Sequence, residues 1–378
     1  MGFQLTDEQK AIRSLAQDFS ANEITPFIKR YDEEEILPLE MIRKLGKVGL
    51  SNLSIPEQYG GPGIDRISHT LIVEEIAKAC AGVATGLEAN SLASYPLLIA
   101  GNEDQKRNYL TRLTKEGEFA SFALTEPEAG SDVSALTTTA RKIDGGYLLS
   151  GEKCFITNAS YADFLVVLAI VPNEKKEKVY SAFIVESKWD GIKIGEKEKK
   201  LGLRTSDTAS VIFDQVKVPT ANRLGEEGEG FKIFLKALMS ARPMVGAQSV
   251  GIAQAAYEAA LNYAKERKQF GKPIAKLQSI QFMLADMAMN TEASRLLVHK
   301  AAYLLEQNAP SIQHASFAKC FASDTAMKAA TDAVQIFGGY GFIRDYPVEK
   351  IFRDAKIMQI YEGTNQIQRV VIAKDILK

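Results

Sequence analysis

The run Gln359-Ile360-Tyr361-Glu362-Gly363-Thr364-Asn365-Gln366-Ile367-Gln368-Arg369 sets one carboxylate between apolar and aromatic residues on one side and Gly-Thr on the other. Those neighbours suit a general base. A carboxylate taken out of water holds its proton more tightly, so it accepts a carbon-bound proton more readily than a solvated one. Gly363 lets a substrate carbonyl or a cofactor approach the backbone, and Thr364 reads as the N-cap of a helix running through Ile367 and Val371. A second block in which loop-forming and polar residues are dense is Leu124-Thr125-Glu126-Pro127-Glu128-Ala129-Gly130-Ser131-Asp132.

The elements that must position these residues follow from periodicity. From Thr6 to about Lys115 apolar residues recur at helical spacing, broken at Pro38, at 55–63 and at Gly101-Asn102. Thr6 with Gln9, and Asn102 with Gln105, are capping boxes, the first opening a helix with Ile12, Leu15, Ala16 and Phe19 on one face. Between about Gly117 and Gly225 the pattern changes to short strand-like runs over 135–143, 147–150, 164–171, 179–185 and 210–218, with Asp144-Gly145-Gly146 as a hairpin turn. No helices separate these runs, which favours a small antiparallel barrel or sandwich over a Rossmann sheet. Helical spacing returns after Gly230 over 235–267, 276–307, 311–336 and 347–357, with a last helix after Gly363, as in a four-helix bundle. Pro243 inside the first of these predicts a kink.

Composition bounds what the chain does. Its 378 residues require more than one subdomain, and 46 basic against 47 acidic side chains, a net charge of −1, show no nucleic-acid footprint. Cys80, Cys154 and Cys320 fit neither a disulfide framework nor a CxxC metal site, and His69, His299 and His314 lack metal-ligand spacing. No apolar run approaches the ~20 residues of a membrane span, and the start lacks a secretory signal. A soluble, cytoplasmic protein is expected, with the mitochondrial matrix as the alternative if the chain is a mature form. Met1-Gly2-Phe3-Gln4-Leu5-Thr6 matches the loose N-myristoylation pattern, but the capping box explains it better.

The two blocks, in this order, resemble those of the acyl-CoA dehydrogenases, and the likeness covers essentially the whole chain. It implies an α+β fold: an N-terminal helical domain (1–117), a central antiparallel β-barrel (118–225) and a C-terminal four-helix bundle (226–378). The activity implied is α,β-dehydrogenation of a saturated acyl-CoA, with FAD as cofactor and Glu362 as base. A family branch carries its base on the long helix instead, but Ser240-Ala241-Arg242-Pro243 has no carboxylate. Around the flavin the resemblance places Phe122, Leu124, Thr125 and Ser131 with Phe155 and Thr157, Phe155 standing where the family usually has Trp. Arg267, Gln269, Phe270 and Gln278, with Gln335, Gly338 and Gly339, are implied to hold the pyrophosphate and adenosine across a subunit interface, hence a homotetramer. Arg267 presents a planar donor fork suited to that anion. Thr364 and Gln366 complete the cofactor set.

For the substrate the likeness is to the medium-chain branch, through 85–92, 241–243 and 283–288. It implies Thr85 and Glu88 at the end of the acyl cavity, Ser131 and Arg242 on the CoA side, and Tyr361 and Gly363 beside the thioester. A carboxylate at Glu88 opposes a dicarboxylic substrate, so a neutral medium- to short-chain acyl group is expected. Read alone, Glu88 faces solvent or pairs with a neighbour. Glu198, in Lys197-Glu198-Lys199-Lys200, matches a position implicated in docking electron-transferring flavoprotein. An enoyl-CoA reductase, an acyl-CoA oxidase and a non-catalytic assembly homologue are the alternatives on this fold.

Overall fold

A computed structural model describes residues 4–173 and 178–378. Met1, Gly2 and Phe3 of the acylation pattern lie outside the described residues. Thr6 and Gln9 exchange both bonds of a capping box and open α1 (Asp7–Phe19). On its apolar face Ala16 is buried and Ile12 and Phe19 pack on the core, but Leu15 is 44% exposed. Short helices α2 (Ile28–Glu33) and α3 (Leu39–Lys47) lead to α4 (Arg66–Ala100), and the second capping box opens α5 (Glu103–Thr111). Apolar on nearly every side, α4 is buried along most of its length, as a helix surrounded by others must be.

Strands β1 (Ala120–Ala123), β2 (Thr139–Ile143), β3 (Gly146–Thr157), β4 (Phe164–Pro172), β5 (Lys178–Glu186), β6 (Ile192–Ile194), β7 (Thr208–Pro219) and β8 (Arg223–Leu224) form one sheet. Its order is β6-β7-β3-β2-β4-β5-β8, with β1 on β4. The expected hairpin joins β2 to β3, Ile143 opposite Gly146, with Gly145 at a φ of 72° that a side chain resists. The expectation of a wholly antiparallel barrel is corrected: β1 and β2 both run parallel to β4, and among the described residues that order has no β6–β8 pairing to close it. The reason lies in the register. Ala120–Ala123 lie beside Phe164–Val167 and Thr139 beside Ile170, so β1 and β2 are one edge of β4, interrupted by an excursion of residues 124–138. That excursion is the Thr-Glu-Pro block.

After the sheet come α6 (Gly230–Glu266), the hairpin β9 (Lys268–Gln269) and β10 (Lys272–Pro273), then α7 (Gln278–Glu306), α8 (Ile312–Phe337), α9 (Val348–Met358) and α10 (Asn365–Ile376). The bundle is not self-contained: Ile76 and Val83 of α4 share a core with Met244 and Val250 of α6, Val298 of α7 and Ala318 of α8. Gly251 permits the crossing, because a Cβ there would sit 2.4 Å from the Glu74 carbonyl oxygen. Pro243, where a kink is expected, lies inside α6. α6 runs unbroken through it, and the residue that leaves helical geometry is Cys80 of α4, at φ −159° and ψ 110°.

Candidate active site

Glu362 lies between α9 and α10, in a turn that sequence and packing both constrain. Its φ is 51° and that of Gly363 is 91°, so two consecutive residues occupy left-handed space, where the first is strained. Thr364 caps α10 as expected, its Oγ1 accepting from the Ile367 N–H at 3.2 Å. Gln368, one turn into α10, donates from Nε2 to the carbonyls of both Glu362 and Gly363 at 3.1 Å. From α8, the fully buried Lys319 donates from Nζ to the Gly363 carbonyl at 2.9 Å and to Asn365 Oδ1 at 2.8 Å. The turn is thus clamped from two helices.

The carboxylate itself is left for chemistry. Its Oε2 is buried and accepts no hydrogen bond, and such an atom is rare unless something else binds there. Burial pushes the Glu362 carboxyl up to about 7, with Lys319 and Arg242 pulling the other way and Glu88 adding to the rise. Arg242 of α6 is 5% exposed, donates to Ser316 Oγ at 3.2 Å and keeps its Nε unpartnered. Burial lowers its pKa against the pull of Glu362.

Beside the base a polar chain closes the space between α4 and α6. The Tyr361 hydroxyl donates to Gln248 Oε1 at 3.1 Å, and Thr85 Oγ1 donates to the same oxygen at 2.8 Å. Glu88, one turn on from Thr85, is buried, with Oε1 at 2.9 Å from His69 Nε2. The solvent-facing alternative for Glu88 is therefore overturned; it pairs with a neighbour.

Three segments make the opposite wall. Phe122 of β1 packs on Phe234 with ring centroids 4.4 Å apart. Leu124 and Thr125 leave the sheet in the excursion, and β3 comes back past them with a register shift between Lys153 and Ile156. The extra residue of that bulge puts Phe155 at φ 56° and leaves its ring 66% exposed. Two buried groups that the sequence did not single out hold the wall: Lys153 Nζ donates to Glu126 Oε1 at 2.8 Å and to the Leu124 carbonyl at 2.9 Å. Glu126 accepts further from the N–H groups of Thr137 and Thr138. Burial opposes both charges; Lys153 and the hydrogen bonds still bring Glu126 down to about 2, while Lys153 falls to about 8. An ionisable residue amid a strand-like run was the available signal. Asn158, just past Thr157, donates to the Gly86 carbonyl at 2.8 Å and ties this wall to α4 beside Thr85. Ser131 sits exposed on the excursion.

A separate concavity of about 510 Å³ is lined by Arg267, Gln269, Gly338, Gly339 and Tyr340 among others. Arg267 lies 5.4 Å from the centre of the Tyr340 ring, and a Cβ on Gly338 or Gly339 would meet nothing within 4 Å, which leaves the backbone open to a ligand. Phe270, at φ 51°, is 88% exposed, and Gln278, Gln335 and Gln366 also face outward. Arg267 is 25 residues beyond Arg242 along α6, about 37 Å at the helical rise. One chain therefore does not bring this concavity and Glu362 onto the same reacting group. Among the described residues no cluster of His, Cys, Asp and Glu could hold a metal, and all three cysteines are buried and free.

A buried carboxylate oxygen without a hydrogen-bond partner and an aromatic wall on a bulged strand fit the ring of a flavin, and a separate open cradle beside an arginine fits a phosphate-bearing group; the class these features suit is a flavin-dependent oxidoreductase. Models of the acyl-CoA dehydrogenase N-terminal, middle and C-terminal domains match residues 6–117, 121–216 and 228–377. An acyl-CoA dehydrogenase of Bacillus subtilis (strain 168) is 48% identical over 374 residues, 99% of each chain, and the acryloyl-CoA reductase (NADH) of Anaerotignum propionicum is 44% identical over 380, covering 100% of this chain and 96% of that one. Butyryl-CoA dehydrogenase from Megasphaera elsdenii superposes over the whole of both chains with a TM-score of 0.97 and 45% identity. An acyl-CoA dehydrogenase from Bacillus anthracis, solved with FAD, matches 99% of this chain and 67% of its own with a TM-score of 0.93 and 35% identity. The chain belongs to the acyl-CoA dehydrogenase family, and FAD is its cofactor.

Proposed function

We propose that the protein dehydrogenates a short, neutral acyl-CoA to the trans-2-enoyl-CoA, with Glu362 as the base that removes the Cα proton. The observation that carries this reading is the buried, unpartnered Glu362 Oε2 on a carboxyl raised to about 7. A base of that strength is half ionised near neutrality, where proton transfer from a weakly acidic carbon needs it. The Glu362 N–H would be the donor of the turn to the thioester oxygen, and charge that develops there is stabilised most by a donor already held in place. Lys319 and Gln368 hold it. FAD, when bound between Phe122, Leu124, Thr125, Ser131, Phe155, Thr157, Thr364 and Gln366, supplies the acceptor for the hydride leaving Cβ. Arg242 and Ser131 take the CoA side, and Tyr361 and Gly363 flank the reacting carbons.

Chain length follows from Gln248. With Tyr361 and Thr85 both donating to its amide oxygen, and the Glu88–His69 pair one turn further, a growing apolar tail meets polar groups it would leave unpaired. This favours the short end of the medium- to short-chain range over the medium-chain branch. The remote cradle at Arg267, Gln269, Phe270, Gln278, Gln335, Gly338 and Gly339 serves the adenosine and pyrophosphate of a neighbouring subunit's FAD, in a homotetramer. Glu198, half-buried on the segment between β6 and β7, marks the docking face for an electron-transferring flavoprotein. No helix among the described residues is long and apolar enough to cross a membrane.

The same proton relay runs in either direction, and the acryloyl-CoA reductase relative favours reduction as the second reading. Glu362→Gln tests the base. The variant retains FAD and loses about 10³-fold or more in turnover, within the range of removing a general base together with its charge; full turnover in Glu362→Gln rules the mechanism out.

A further inference from the structure

Among the described residues, no side-chain carboxylate is in contact with the Lys319 ammonium group. It is fully buried, and its two hydrogen bonds go to neutral oxygens, the Gly363 carbonyl and Asn365 Oδ1. The acceptor in the turn has a second donor, Gln368 Nε2 on the Gly363 carbonyl at 3.1 Å. Hydrogen bonding of the turn therefore survives without Lys319, and what only Lys319 adds on this side is charge. A buried charge without a counter-ion is expensive, so a chain that keeps one places an opposite charge near it.

We propose that Lys319 is a positioning residue for the reaction, its ammonium gripping the Gly363 carbonyl beneath the strained turn and standing as the counter-charge of the Glu362 carboxylate. The inference rests on Glu362 being the base. The groups facing Glu362 are Lys319 from α8, Arg242 from α6, Glu88 and Tyr95 from α4, and its neighbour Tyr361; those facing Lys319 are Glu362, Cys320, Arg242 and Asp324. Of the two cations that oppose the rise of the Glu362 carboxyl, Lys319 is, among the described residues, the one hydrogen-bonded to the turn that carries it. Burial pulls the Lys319 amine down to about 8 while Glu362 holds it up, so through neutral pH it is mostly charged when the carboxylate ionises.

The test is Lys319→Met, with Lys319→Arg as the charge-retaining variant and Glu362→Gln alongside, all on FAD-loaded enzyme. In Lys319→Met the acid limb of the kcat profile moves up by about one pH unit, as loss of a nearby opposite charge requires, and kcat at pH 6 falls about tenfold with KM little changed. Lys319→Arg returns the limb toward its wild-type position. A folded, FAD-loaded Lys319→Met with the wild-type limb overturns the inference and leaves the base intact; turnover in Glu362→Gln overturns the underlying reading instead. Should Lys319→Met not fold, Lys319→Gln is read in the same way, and failure of both to fold assigns Lys319 to stability alone and overturns the inference.

Discussion

Glu362 combines three properties that are each unfavourable alone: a left-handed backbone, a buried carboxylate oxygen without a donor, and a raised pKa. Their stability consequence has a definite sign. Because the folded-state pKa of about 7 lies above the ordinary 4.5, the folded chain binds this proton more tightly than the unfolded one. The group's contribution is fully present below 4.5 and is lost as pH rises through about 7. Glu362→Gln should therefore be as stable as wild type in acid and more stable above pH 7, by up to about 3 kcal/mol; thermal melts of the FAD-loaded pair across pH 4–8 check this, and equal melting points at pH 8 contradict it. Gln248 carries the second prediction at this scale. Gln248→Ala removes the shared acceptor between Tyr361 and Thr85 and should raise kcat/KM for hexanoyl- over butyryl-CoA about tenfold, the order of one or two methylenes admitted to a pocket.

Among the elements, the turn before α10 and the excursion between β1 and β2 would carry the proposed chemistry, and both are held by buried charge. Removing one partner of the Lys153–Glu126 pair strands the other, charged and buried, without its counter-ion. Lys153→Met alone should cost about 3–5 kcal/mol, and the double variant with Glu126→Gln distinctly less; denaturant melts of wild type and the two variants measure the difference, and a double variant that loses as much as Lys153→Met or more contradicts it. Much at this scale was readable from sequence, for stated reasons. Thr6-Gln9, Asn102-Gln105 and Thr364 announced helix starts because capping is local, and Asp144-Gly145 announced its hairpin because φ must turn positive there. The parallel pairing of β1 and β2 was not readable, since strand direction is set by where the chain re-enters the sheet. Nor was the part played by Lys319, Gln368, Lys153 or Gln248, whose partners lie far along the chain. The departure of Cys80 from helical geometry inside α4 had no signal in the sequence either.

At the scale of the molecule, one chain leaves a ligand cradle about 37 Å along α6 from Arg242, and large apolar groups uncovered: Phe270 and Phe342 are 88% and 87% exposed, and Leu377 is 83% exposed. The proposed homotetramer would cover such groups. Light scattering should give the mass of four chains, and Arg267→Ala should release FAD without changing that mass; a stable monomer that retains FAD contradicts the arrangement. The central claim, a short acyl-CoA oxidised at a flavin with Glu362 as base, is met most directly by the visible spectrum of the purified protein under anaerobic conditions, before and after butyryl-CoA. The account predicts a yellow flavin that bleaches on addition, with a long-wavelength charge-transfer band, and no bleaching in Glu362→Gln. A wild-type flavin that stays oxidised contradicts it.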